Sequence, residues 1–505
     1  MLNTRESFRS ALERLHRYAA DSPERRPAFG LRLPEIHRGE LEAVREAPPL
    51  GRGTAGPGLT IAGAAARIRE GRLTARELVE QCIERIHRLN GSLRAFTCVL
   101  EEEARRQAAA LDAEARAGSV RGPLHGVPVA VKDVIHVAGV PTTASSRAMT
   151  DVLPEHDAAA VARLRAAGAV IVGKTETHEF ALGVTTPQSR NPWDPSRLPG
   201  GSSGGSAIAL ATGMSLGALG TDTRASIRMP AALSGVVGFK PTFGLVSTWG
   251  VVTLSWSMDH VGPMATTVED AALLLNALVG HDPRDPASVD RPREDFTRYL
   301  GRRVEGLTVG VPAACLADCD GEVKEAFARA EATLAELGVR VVSTAEPRHE
   351  ELEAANAAGL IVSRCEAASF HRERFAARSA LYTRDVFEQL DEAHGVPAVD
   401  YLQAQRLRRE FAERMLRGFE GIEALAMPTA PVPAPKADEA ERYLTILSRN
   451  CVPWSFVGFP AISLPCGRTA EGLPIGLQLV GAPFADGLVL ALASAFEAMR
   501  GPAAG

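Results

Sequence analysis

Apolar residues recur along much of this chain at the spacing of half-buried helices, interrupted by short apolar runs that do not alternate. In "TARELVEQCIERIHRLNG" they fall at positions 78, 82, 83, 86 and 89, the stripe of a surface helix with one buried face. Thr74 and Glu77 stand in capping-box spacing at its start, and Asn90-Gly91 offers a stop. "HGVPVAVKDV" alternates too little for a strand with one wet face, so residues 127–132 are predicted as a strand buried on both sides. In "HDAAAVARLRAAGAVIVGK", Asp157 is a candidate helix cap, Gly168 a candidate helix end, and residues 169–172 a second short buried strand. The order recurs later: a strand at 307–311, a helix reaching Leu337, a stop at Gly338, then the strand "VRVV". Strand, helix, strand alternation predicts an α/β fold around a mainly parallel or mixed sheet.

Ahead of this, residues 1–46 are charged and helix-prone, and "APPLGRGTAGPG" at 47–58 breaks regular structure with its prolines and glycines. An N-terminal helical extension and linker over residues 1–56, joined to one large domain over 57–505, is the expected organisation. The extension either covers the body of the protein or forms a homodimer contact.

Composition narrows the classes. A chain of 505 residues, 45% hydrophobic and 23% charged, has ordinary globular balance and length for a large core. Its 56 basic and 61 acidic residues leave a net charge of -5, with no basic stripe interleaved with aromatics, so nucleic acid is not an expected partner. "MLNTRESFRSALERLHRYAADSPERR" lacks the apolar stretch of a secretory signal, and no later segment holds about 18 uninterrupted apolar residues; a cytoplasmic protein without a membrane partner is expected. The seven cysteines are scattered, and the nearest pair, Cys315 and Cys319, has no second pair or histidine at metal-ligand spacing. They read as reduced thiols, with no disulfide framework, zinc site or cofactor.

Two motif matches fail on context. "GAVIVGKT" satisfies the P-loop pattern, but its four middle residues are the predicted strand itself, whereas a phosphate cradle needs a tight turn of backbone amides after a strand. G-x-S-x-G occurs twice, on Ser202 and on Ser203, yet a nucleophile elbow requires a strand before the serine, and "RNPWDPSRLPG" is loop. His260 and His371 would be the bases of a Ser-His-Asp arrangement; nothing in their sequence context places them there.

Three other pieces belong together: Lys132 ending "VPVAVK", the loop "PGGSSGGSAIA", and "LGTDTRASIRMPAALSGVVGFKPTFG" at 219–244. A lysine, with a free pKa of about 10.4, becomes a base near neutral pH only where burial disfavours its charge, and an apolar strand end supplies that setting. Pairing of Lys132 with Asp133 is disfavoured because adjacent strand residues point to opposite faces. With "GKTETHEFALG", "DHVGPMATTVEDAALLLNAL", "DYLQAQRLRREF" and "GFPAISLPCG...GLPIGLQLVG" in consistent order, the chain resembles the amidase signature family, serine hydrolases with a Ser-cis-Ser-Lys triad, from about Leu59 to Phe496.

The resemblance implies a single α/β domain with a central mixed sheet covered by helices on both faces. It implies Ser226 as nucleophile, Ser202 as bridging serine after a cis peptide bond, and Lys132 as base. The backbone N–H groups of Thr223, Arg224, Ala225 and Ser226 would form the oxyanion hole, with Ser203, Asp222 and Arg228 in support. The glycines 200, 201, 204 and 205 would give the loop its backbone freedom. Where the family usually has two glycines before the nucleophile, this chain has Arg224 and Ala225. That loop either lies in ordinary backbone space or stores strain. Arg224 either reaches into the pocket, favouring a carboxylate or second carbonyl, or is solvated or structurally paired. The loop 176–190 with Phe180, the region of Trp256 and that of Trp454 are implied pocket walls. The expected activity is hydrolysis of a small-molecule amide, carbamate or urea-type bond. The alternatives are the glutaminase subunit of a tRNA-dependent amidotransferase and a non-catalytic binding protein on the same scaffold. "RDVFEQLDEAHGVPAVDYLQAQ" lacks the glycine-, valine- and lysine-rich block of that subunit, and "RNCVPWSFVGFP" also differs, which ranks it second.

Overall fold

Eleven strands among the described residues form one mixed sheet in the computed structural model, which describes residues 4–20 and 59–501. In chain order they are β1 (Phe96–Val99), β2 (Pro128–Lys132), β3 (Val170–Thr175), β4 (Gly217–Asp222), β5 (Val237–Lys240), β6 (His260–Ala265), β7 (Thr308–Pro312), β8 (Arg340–Thr344), β9 (Ala424–Pro428), β10 (Ala461–Arg468) and β11 (Pro474–Gly481). Across the sheet the order is β1-β3-β2-β4-β6-β5-β10-β11-β9-β7-β8. β3, β2 and β4 run parallel, as do β8, β7 and β9; antiparallel pairs join the two parallel groups through β6, β5, β10 and β11.

Strands with no wet face read as apolar runs, and the packing shows why. On β2, Val129 and Val131 enter the core cluster that holds the helices Ile61–Arg69, Val268–Leu278 and Asp486–Arg500. Ala130 enters the cluster on the other side, with Ala207 and Ile208 of the helix Gly204–Ala211. Ile171 of β3 and Leu219 of β4 follow the first group, Val170, Val172 and Ala218 the second. The period-2 alternation of side chains thus feeds two apolar layers at once.

The local signals are met with two exceptions. Thr74 and Glu77 form the expected capping box on the helix Ala75–Leu93. That helix runs past Asn90-Gly91, because the Asn90 side chain accepts from the amides of Ala95 and Phe96 (2.8 Å each) and secures the exit beyond left-handed Arg94. Asp157 is not the cap of the helix Ala159–Ala166: its carboxylate accepts from Ala138 N (2.8 Å) and pairs with Arg165 (3.1 Å). The P-loop lookalike is β3 itself, and its Lys174 is buried against Asp133 at 2.7 Å. Of the N-terminal extension, Thr4–Ala20 is a helix that packs on the protein's own body: Leu15 is fully buried among Leu352, Ile361 and Leu407, and His16 meets Asp400 at 2.8 Å. The rest of the extension and the linker lie outside the described residues. All seven cysteines are unpaired, and no described helix is long and apolar enough to cross a membrane.

Candidate active site

The carboxyl ends of the three neighbouring parallel strands gather Lys132, Thr175 and Asp222, the place where open α/β sheets present ligands. Lys132 is wholly buried, and its Nζ lies 2.6 Å from Ser202 Oγ and 2.8 Å from Thr221 Oγ1. Burial lowers its pKa to about 7, against the opposing charges of Asp222 and Asp259. Asp133 points away to Lys174, as strand alternation requires.

Ser202 is carried by the loop entering the helix Gly204–Ala211, and the Gly201–Ser202 peptide bond is cis. Of the four loop glycines only Gly200 has a positive φ (79°). The others serve close approach: a Cβ on Gly201 would stand 2.1 Å from the Thr185 carbonyl oxygen, and one on Gly205 2.4 Å from that of Ala95. Ser203 fastens the loop to its surroundings. Its amide donates to Ser226 O (3.2 Å), and its hydroxyl lies 3.3 Å from both Thr221 N and Thr221 O. This places Ser226 beside the Ser202 loop; its side chain makes no hydrogen bond to any described residue and is 5% exposed.

Between β4 and the helix Arg228–Ser234 the chain turns through residues 223–227. Asp222 and Arg228 clamp this turn as a fully buried ion pair at 3.0 Å. Asp222 also accepts from Ile227 N (3.2 Å) and Ser455 Oγ (2.8 Å), while Arg228 donates to Gln478 (2.6 Å) and the Cys451 carbonyl (3.1 Å). Burial pushes the Asp222 carboxyl up, but Arg228, with Lys240 and His260, outweighs it and holds the group well below the usual carboxylate range. Held this way, Arg224, Ala225 and Ser226 present amides with no acceptor among the described residues, as does Thr223 before them. None of the three has a positive φ, so the loop that replaces two glycines lies in ordinary backbone space. A row of free donors beside a serine hydroxyl can receive a developing oxyanion.

The implied pocket walls divide. Trp256 is half exposed, presented between Ser255 and Ser257, both of which are held by buried Glu366. Trp454 is no pocket wall: it is wholly buried, packed with Phe411 and donating to Met427 Sδ, because its helix Val452–Phe456 faces the core. Phe180 is likewise buried, against His371 and Tyr382, and its amide donates to Ala144 O (3.0 Å). Arg224 is not structurally paired. Its Nε is buried without a partner among the described residues, and burial lowers the guanidinium to about 10.

The two histidines are occupied elsewhere. His260 donates from Nδ1 to backbone carbonyls of Met258 (2.7 Å) and Asp222 (2.9 Å) and accepts from Lys240 at Nε2, and His371 lies within the Phe180 cluster. Several positioning residues escape a reading of the sequence. Thr221 shares Lys132. Thr186 Oγ1 donates to Gly200 O (3.0 Å) and accepts from Gly204 N (3.2 Å). Thr223 donates to Asp259 (2.5 Å), a carboxyl raised to about 6 by burial. Their only signal is proximity to the serines, since hydroxyls in loops are common. Among the described residues no group of three His, Cys, Asp or Glu side chains could hold a metal ion.

Known proteins resemble this chain over most of its length. A family model described as Amidase matches residues 77–490. An amidase of Pseudomonas putida is 41% identical over 450 residues, covering 87% of this chain and 95% of that protein. A glutamyl-tRNA(Gln) amidotransferase subunit from Synechococcus sp. (strain JA-3-3Ab) is 39% identical over 452 residues, covering 84% of this chain and 89% of the relative. Among solved structures, a chain from work on a vestigial protein complex and the evolutionary origins of an s-triazine catabolic enzyme superposes with a TM-score of 0.82 at 33% identity, covering 86% of this chain and 97% of that one.

Proposed function

This chain belongs to the amidase family, and from that premise we propose that it acts alone as a hydrolase of a linear amide or a carbamate- or urea-type bond, using Ser226, Ser202 and Lys132. The observation that carries the reading is the buried Lys132 amine at 2.6 Å from Ser202, with its pKa brought to about 7. Neutral Nζ accepts the Ser202 hydroxyl proton while Ser202 takes the proton of Ser226, and Ser226 Oγ bonds to the substrate carbonyl carbon. The carbonyl oxygen gains negative charge opposite the free amides of Arg224, Ala225 and Ser226. Return of the proton through Ser202 to the nitrogen breaks the carbon–nitrogen bond and leaves an ester on Ser226. Water attacks that ester by the same relay, releasing the acid and restoring the serine.

A glutaminase subunit of an amidotransferase is the second reading, favoured by the relatives of that name. The test is a substrate panel on purified protein alone, with Ser226→Ala as the blank, following ammonia and released amine from glutamine, small acid amides, aryl amides, carbamates and ureido acids. Turnover of a non-glutamine compound, reduced about 10⁴-fold or more in Ser226→Ala, is the expected result. Turnover of glutamine alone would transfer the assignment to the second reading.

A further inference from the structure

Buried cations in the described residues have acceptors almost throughout. Lys174 has Asp133, Arg228 has Asp222, Lys240 the Phe459 carbonyl and Arg408 the Ser257 carbonyl. Arg500 Nε, on the helix Asp486–Arg500, lacks an acceptor among the described residues but has the charge of Glu497 opposing its desolvation; Arg224 and Arg364 are different. Arg224 is partly exposed, but its Nε is buried without a hydrogen-bond partner among the described residues, and Arg364, only 6% exposed on the helix His349–Arg378, makes no hydrogen bond or ion pair to any described residue. The two guanidiniums feel each other: burial first, then the charge of Arg224, lowers Arg364 to about 9, with Asp385 opposing. Both remain charged at neutral pH.

An unpaired buried charge such as that of Arg364 is costly, and a partly buried charge of the same sign nearby raises the cost, so such a pair marks a place built for a counter-ion that arrives from outside. Its location is specific. Arg224 stands two residues before Ser226, in the turn with the free amides. Two residues beyond Arg364, Glu366 holds Ser255 and Ser257 of the loop that leads to Asp259 and Thr223. Asp385 is itself committed to His178 (2.8 Å), whose backbone amide donates to Ser202 O (3.3 Å). Arg224 therefore borders the candidate active site from the nucleophile turn, and the helix that carries Arg364 reaches the same turn through Glu366 and the loop 255–259.

We propose that Arg224 and Arg364 form an anion receptor in this site, and that the substrate is an amide or ureide bearing a carboxylate. A guanidinium fork matches the two oxygens of a carboxylate, and two such forks would fix the substrate's orientation as well as its charge. For the substrate class the inference rests on the hydrolase reading; for binding it does not.

Isothermal titration of full-length Ser226→Ala protein separates the two. One arm uses glutaramic and adipamic acids, with the carboxylate on the acyl part; the other uses N-acetylglycine and N-acetyl-β-alanine, with the carboxylate on the amine part. Each is compared with its neutral diamide or N-acetyl amino-acid amide. In one arm the acid is expected to bind at least 10-fold more tightly than its neutral partner. Arg224→Met and Arg364→Met should each reduce that advantage to under 3-fold, and Arg364→Lys should keep part of it. The dissociation constant does not depend on the folded fraction, so partial misfolding of a variant does not mimic this result. Equal binding of acid and neutral compound in both arms, failure of every acid to bind at millimolar concentration, or an advantage unchanged in both Met variants would overturn the proposal. Hydrolysis without acid preference defeats this inference alone, whereas acid binding without any hydrolysis by the unmodified protein defeats the hydrolase reading alone.

Discussion

At the scale of single residues, the proposed chemistry depends on a lysine whose charged form its surroundings disfavour. Among the described residues Lys132 has no counter-ion in contact, only two hydroxyls, so burial controls its protonation. With its pKa near 7, the protonated form prevails below that pH and cannot accept from Ser202, so kcat/KM is expected to rise with pH through about 7. Asp259, with its own pKa at about 6, is mostly ionised at pH 7, and its charge favours protonated Lys132. Asp259→Asn should therefore move the acid limb to lower pH, and a pH profile unmoved by this change would remove Asp259 from the electrostatics of the base. Tryptophans give the converse case, in which the same residue type has opposite meaning. Trp454→Ala is expected to cost about 3–5 kcal/mol of stability, while half-exposed Trp256→Ala should stay within about 0.5 kcal/mol of the parent and change KM instead. Denaturant titration and steady-state kinetics on both variants check this.

At the scale of elements, the turn between β4 and the helix Arg228–Ser234 is held by charge rather than by glycine. Asp222→Asn leaves Arg228 as an uncompensated buried cation and is expected to cost about 3–5 kcal/mol in chemical denaturation. A loss under 1 kcal/mol would mean that Gln478, Ser455 and the carbonyls suffice without the carboxylate. The buried strands and the capping box at Thr74 are legible in the sequence because they depend on local pattern alone. Asp157 departs from its expected role because a carboxylate near a helix start serves equally well as a tertiary acceptor, and only the fold brings Ala138 within reach. Trp454 departs for the same reason: resemblance puts its segment near the cleft but does not say which way a five-residue helix turns its ring.

For the molecule as a whole, the mixed sheet gathers residues far apart in the chain at the ends of three parallel strands, an arrangement that the triad motifs announce and periodicity alone does not. Arg364 illustrates the limit. It lies outside every quoted motif, and the helix that carries it is linked to the nucleophile turn only by the folded contacts of Glu366 with Ser255 and of Asp259 with Thr223. The N-terminal helix, whose sequence allows either a body contact or a dimer contact, docks on the same chain through Leu15 and His16. The central claim, that this assembly makes Ser226 the nucleophile with Ser202 as relay, is tested most directly by peptide mapping of the purified protein after reaction with a fluorophosphonate. A single adduct on Ser226, formed faster above pH 7 and slowed about 10²-fold or more in Lys132→Met, is the predicted result. An adduct on Ser202 or Ser203, or labelling of Ser226 at the same rate without Lys132, would contradict it.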